Sequence, residues 1–291
     1  MRLVRLGVLA TALWLAVAQP AAAIGPGSSG DHAPLYYLSL GDSLAAGEQP
    51  IGDASNGQPT DEGYAEQLIA IARDWYPNLQ LVKLGCSSGE TTATMIDGGI
   101  CDYPHGSQLD EALAFLHAHG KFVAFITIDI GANDFACQDD PSCLPPGFAS
   151  IGRNLPRILA ALRGAAEPGT PIVGANLYDP LLGYWLTGQA GQALAMASVP
   201  AAVAVNSFLG AIYGAAGVPV ADVGAALSTT DFTTLVPLPP FGSIPLNVAR
   251  ICQWTWVCTP PPLGPNNHAN AAGYGVMAQA FAGLLQPQPA A

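Results

Sequence analysis

The 291-residue chain carries 21 acidic side chains against nine basic ones, two of them lysines, for a formal net charge of −12. A chain this acidic has no electrostatic footprint for nucleic acid, and its charge serves solubility. Half of its residues are hydrophobic, enough for one domain to bury a large core.

In chain order, residues 1–23 read as an export signal. Arg2 and Arg5 precede the apolar run LGVLATALWLAVA, and small residues at 21–23 place the expected cleavage near Ala23. The run is too short for a stable membrane span, and no later segment is expected to be long and apolar enough for one. Cleavage takes the net charge to about −14, because the segment carries two arginines and no acid. The mature chain is then expected to be secreted. A leader (24–34), a single domain (35–286) and a short tail (287–291) are expected to follow.

LYYLSL (35–40) is a short apolar run that reads as a buried strand. GYAEQLIAIARDWY has helical periodicity, LQLVKL is a second strand, and SQLDEALAFLHAHG is a helix ending in glycine. FVAFITIDI is almost wholly apolar, as the centre of a parallel sheet demands. A long helix is expected over 148–166, bent at Pro156, then a strand at PIVGANLY, an Ala-rich helix over 189–216 and a fifth strand at VPVAD. Residues 229–265, rich in Pro and Thr, read as one long loop. Alternating strands and helices predict an α/β fold: a three-layer sandwich around a mainly parallel five-stranded sheet.

Six cysteines in an exported chain point to disulfides. Spacing suggests Cys86–Cys101, Cys137–Cys143 and Cys252–Cys258, because each pair closes a short local loop. Tight Cys-x-x-Cys spacing and a histidine cluster are both missing, which argues against zinc.

Ligands of open α/β sheets bind where strands end. The first strand ends in GDSL (41–44), the second in GCSSGETT (85–92) and the third in GAND (131–134), and HANAAGY (268–274) opens a last helix capped by Asn270. This ordered set resembles the SGNH (GDSL) hydrolase superfamily, which cleaves carboxylic esters with a serine nucleophile. The resemblance spans almost the whole mature chain. It implies Ser43 as nucleophile, His268 as general base, and an oxyanion hole from the backbone N–H groups of Ser43 and Gly85 with the side-chain amide of Asn133. Ester hydrolysis independently requires those types: a nucleophile, a near-neutral base, and donors aimed at developing charge. No metal or organic cofactor is implied. A small-molecule or lipid ester, a monomer and water as second substrate are expected.

Other residues read as structural. Asp42 and Asp134 are expected to bond nearby backbone, and Asp129 to act as a buried hydrogen-bonding carboxylate. His32, His105, His117 and His119 are read as non-catalytic, and CQDDPSC as a solvated disulfide loop rather than a calcium site. GCSSG also matches the nucleophile elbow of α/β-hydrolases, which would make Ser87 the nucleophile, but an elbow opens directly into a helix and ETTATMIDGGICDY is a poor helix former. A carbohydrate acetylesterase and a catalytically silent binding protein are the remaining alternatives.

Relatives orient the histidine with an aspartate two or three residues before it, and here those positions are Asn266 and Pro265. The expected replacement is the backbone carbonyl of Pro265, with the Asn266 side-chain oxygen, Asp222 and Asp231 as rivals.

Overall fold

The structure is a computed structural model that describes residues 34–52, 57–135 and 141–286. The expected signal segment, His32, Cys137 and the acidic part of CQDDPSC lie outside the described residues.

Five strands build the sheet: β1 (Leu35–Gly41), β2 (Leu79–Lys83), β3 (Val123–Asp129), β4 (Ile172–Ala175) and β5 (Val220–Ala221). Their order is β2-β1-β3-β4-β5 and every pairing is parallel. β1 and β3 are central, and their continuous apolar runs follow from burial on both faces. The main helices are α1 (Tyr64–Ala72), α2 (Gln108–His119), α3 (Leu144–Ala165), α4 (Gln189–Ala215), α5 (Leu246–Trp254) and α6 (Ala271–Leu285). α3 starts before the expected residue 148 and runs through Pro156.

Strand periodicity separates two cores. Tyr37, Phe125, Val173 and Ala175 face one side, where they meet Leu68 of α1 and Tyr274, Met277 and Phe281 of α6. Leu38, Leu40, Ile126 and Ile128 face the other, against Leu116 of α2, Ile158 of α3 and Leu209 of α4. The three layers are therefore helix, sheet, helix.

Two expectations need correction. Residues 229–265 are not one loop: a small antiparallel hairpin (Leu235–Pro237 with Ser243–Pro245) leads into α5. Val248, Ala249 and Ile251 bury one side of that helix, so packing rather than composition makes the element. α4 is also long and apolar enough to span a bilayer, with a mean hydropathy of 1.6 in its most apolar window. It nonetheless sets Ala195, Ser198, Val205, Leu209 and Tyr213 into the fold.

Cys86–Cys101 and Cys252–Cys258 are bonded, with Cα atoms 5.9 and 5.0 Å apart. Cys143 is also disulfide-bonded, and its expected partner Cys137 lies outside the described residues.

Candidate active site

β1 ends at Gly41 in register with Asp129, so the segments after β1 and β3 leave the same edge of the sheet. After β1 the chain curls tightly. Ala46 N–H donates to the Asp42 carbonyl (3.1 Å), Leu44 N–H to Asp42 Oδ1 (3.0 Å) and Glu48 N–H to the Ser43 carbonyl (2.9 Å). The curl places the Ser43 hydroxyl 2.8 Å from His268 Nε2, across 225 residues of sequence.

The histidine comes in on a loop held by backbone. Trp256 N–H donates to the His268 carbonyl and Asn270 N–H to the Trp254 carbonyl, each at 3.0 Å, which ties the loop to the end of α5. Tyr178 Oη donates to the Asn267 carbonyl (2.7 Å), and Asn270 caps α6 by accepting from Gly273 N–H (3.0 Å).

Asn266 Oδ1 faces both the backbone N–H of His268 (2.9 Å) and its ring Nδ1 (2.8 Å). A backbone N–H can only donate, so the atom it meets is the amide oxygen. The same oxygen then obliges Nδ1 to carry the ring proton. Nε2 is left as a bare acceptor for the Ser43 hydroxyl, the tautomer a general base needs. Burial pulls the His268 pKa down to about 4 and so favours the neutral ring.

The Pro265 carbonyl is therefore not the acceptor. The side chain two residues before the histidine closes an Asx-type turn onto it and reaches Nδ1 first. Asp222 is engaged with Asn176 (2.7 Å) and with Ala225 N–H (2.9 Å). Asp231 accepts from Thr233 and Thr234 in an exposed turn, where the Thr234 and Thr233 bonds lower its pKa to about 2. Neither acid turns to His268.

Gly85 follows β2 and lies backbone to backbone on the turn that carries Ser43. A Cβ there would sit 2.5 Å from both the Ala45 carbonyl carbon and Ala46 N, so only glycine fits. Among the described residues, the N–H groups of Ser43 and Gly85 donate to no other protein group. Asn133 Nδ2 donates one proton to the Glu90 carbonyl (2.9 Å), which holds the amide and leaves its second proton for another acceptor. Next to it, Asp134 accepts from Thr92 N–H (2.8 Å) and the Thr92 hydroxyl (2.6 Å), strapping the segment after β3 to the segment after β2.

Beneath the serine lies a buried polar column. Tyr37 bonds Thr127 (2.7 Å), and Tyr64 Oη donates to Asp129 Oδ1 (2.7 Å). Asp129 Oδ2 is buried there without a hydrogen-bond partner. Burial holds Asp129 well above the ordinary carboxylate range and pushes Asp42 up to about 7.

Ser87 lies in a turn that leads only to the four-residue helix Thr94–Asp97, without the helix an elbow requires. His105 pairs with Glu111 at 2.7 Å, and His119 packs on Tyr36 and Phe115. Cys86, Glu90 and Cys101 have metal-ligand atoms within reach of one another, but both sulfurs are spent in a disulfide.

One residue near the site was missed in the sequence. Glu48 is buried, with Oε1 3.7 Å from His268 Nε2. Only the curl after β1 brings it there, and the string AGEQP carries no motif that would single it out.

The GDSL-like lipase/acylhydrolase family model matches residues 39–276. No curated protein sequence matches the chain. Its structure is similar to an extracellular lipase from Streptomyces rimosus (17% identity, 86% of this chain and 99% of that one, TM-score 0.53). It is also similar to phospholipase A1 from Streptomyces albidoflavus NA297 (17% identity, 86% and 99%, TM-score 0.51). The acetylxylan esterase Axe2 from Geobacillus stearothermophilus is a third (15% identity, 87% and 95%, TM-score 0.51). At these identities the likeness speaks for the fold.

Proposed function

Since the chain belongs to the GDSL-like lipase/acylhydrolase family, we propose that it is a secreted carboxylic ester hydrolase that works through Ser43 and His268. The observation that carries this reading is the hydrogen-bonded series Asn266 Oδ1, His268 Nδ1–H, His268 Nε2, Ser43 Oγ, with links of 2.8 and 2.8 Å. Nε2 takes the hydroxyl proton as Oγ attacks the ester carbonyl. The N–H groups of Ser43 and Gly85 and the free proton of the Asn133 amide receive the oxyanion. His268 then returns the proton to the departing alkoxide, and a water activated by the same nitrogen releases the acid from the acyl-enzyme. Two disulfides among the described residues fit an oxidising compartment, as does the export-like N-terminal sequence.

Acyl and lipid esters are the proposed substrates, with apolar segments 181–185 and 235–246 as support. Part of this material is spent on a satellite core, where Trp185, Val236 and Leu238 pack on Ile244 and Val248. Tyr184, Leu235 and Phe241 remain exposed. An acetyl ester of a carbohydrate is the second reading, which that internal packing favours.

Fluorophosphonate labelling with peptide mapping tests the nucleophile. The label is expected on Ser43 and absent in Ser43→Ala, and a label on Ser87 refutes the assignment. A p-nitrophenyl series from acetyl to palmitoyl separates the substrate readings: a rise toward long chains supports lipid esters, and activity confined to acetyl supports the carbohydrate esterase.

A further inference from the structure

Nothing in the loop that carries His268 is charged, yet a base that accepts a proton becomes a cation. Among the described residues, the acidic side chain that meets the ring is Glu48, which comes from the nucleophile's own turn. Its place is built. The backbone N–H donates to the Ser43 carbonyl (2.9 Å), and its carbonyl accepts from Tyr274 Oη (2.8 Å). The hairpin of Gln49–Pro50 with Gly57–Gln58 folds over it, and a Cβ on Gly57 would fall 1.9 Å from Glu48 Oε1. Glu48 Oε2 is buried without a hydrogen-bond partner, an arrangement that costs stability unless it serves something else.

Building on the Ser43–His268 reading, we propose that Glu48 is the charge partner of His268: a carboxylate acting from the Nε2 side, where relatives use an acid on the Nδ1 side. The Oγ–H bond of Ser43 breaks and the Nε2–H bond forms, while the Oγ electron pair goes to the acyl carbon. Glu48 takes no proton in this step. It remains a carboxylate beside the new imidazolium and lowers the energy of that charge. Glu48 thus acts through His268 and not on the substrate.

The partner is charged only part of the time. Burial, with the nearby Asp42 as the smaller cause, pushes the Glu48 carboxyl up to about 7. The groups that face it are Asp42 from the end of β1, His268 from its loop and Tyr274 from α6. Lys83 of β2 is close by but is committed to the Ala46 and Thr60 carbonyls and to Glu66. As pH rises through 7, Glu48 ionises and the proton transfer becomes easier.

The test is the pH profile of kcat/KM on a p-nitrophenyl ester for the parent, Glu48→Gln and Glu48→Asp, with circular dichroism to verify folding. The parent is expected to gain roughly fivefold to tenfold between pH 6 and pH 8.5, because the ionised form, about tenfold to a hundredfold faster for one to two units of change in the base's pKa, is already about one-tenth populated at pH 6. Glu48→Gln is expected to lose that rise and to be roughly tenfold to a hundredfold slower at pH 8.5, whereas Glu48→Asp keeps a rise. A folded Glu48→Gln with the parent's rate and the parent's rise overturns the proposal, as does one that is faster. Nitrogen NMR of His268 in the unmodified protein provides a second reading: the Nε2 signal should inflect near pH 7 while the ring stays neutral, and no inflection there also overturns it. The premise is tested separately by Ser43 labelling. Labelled, active parent with an unaffected Glu48→Gln removes this proposal alone, whereas no label and no turnover in any variant removes the hydrolase reading with it.

Discussion

The loop 264–270 and the turn 41–48 meet at one imidazole, and they are built on opposite electrostatic plans. The loop offers the ring only neutral dipoles, with Asn266 Oδ1 at 2.8 Å from Nδ1, and holds itself by backbone pairing to α5. The turn brings two buried carboxyls, Asp42 and Glu48, both pushed up to about 7. Orientation and charge, which an aspartate beside the histidine supplies together, are here divided between the two regions. An amide fixes the tautomer only when its oxygen faces the ring, and here the backbone N–H of His268 holds that oxygen in place.

Asn266→Ala breaks the neutral side, with the largest expected effect. The ring loses its Nδ1 acceptor, and steady-state turnover should fall by about 10³-fold or more in folded protein, approaching the roughly 10⁴-fold cost of a wrong tautomer in a serine protease. Pro265→Ala is its control. It keeps the Asn266 amide that faces the ring and should stay within about tenfold of the parent.

Gly85→Ala strikes the turn from below. Its Cβ meets backbone that cannot swing aside, at 2.5 Å from Ala45 and Ala46, so the turn 41–48 or the proposed donor at 85 must move. Losing one oxyanion donor costs about 10²–10³ in kcat, and a comparable fall is expected here together with a lower melting temperature.

The smallest expected effect concerns stability against pH. Asp42 and Glu48 have folded pKa values of about 7, above their ordinary values. The folded state therefore binds more protons than the unfolded state between about pH 4 and pH 7, and stability falls as pH rises across that window. For buried Asp42 the change is on the order of a few kcal/mol. Urea midpoints should be higher at pH 5 than at pH 8, with a smaller difference in Glu48→Gln. Midpoints that climb steadily from pH 5 to pH 8 would contradict the buried-carboxyl account of the turn.

The sheet was legible because parallel strands buried on both faces leave unbroken apolar runs, as in LYYLSL and FVAFITIDI. α5 was hidden because LNVARICQW sits among prolines and threonines and owes its helix to the packing of Val248, Ala249 and Ile251. The parts of the candidate site were legible where they stand at strand ends: GDSL, the glycine at 85, GAND, and the histidine before α6. Which of two neighbouring acceptors faces the ring was not legible. That depends on the loop's path, which is set by long-range pairing of residues 254–256 with 266–270. Glu48 was illegible for a similar reason, since its approach to His268 needs both the curl of the turn and the hairpin that closes over it.

Nitrogen NMR of the imidazole of His268 at neutral pH tests the division of labour most directly, because it reads the tautomer without substrate. The account predicts a neutral ring with the proton on Nδ1 and Nε2 bare in the parent, and a shift of population toward the Nε2–H form in Asn266→Ala. A parent ring protonated on Nε2, or an Asn266→Ala spectrum identical to the parent's, would contradict it.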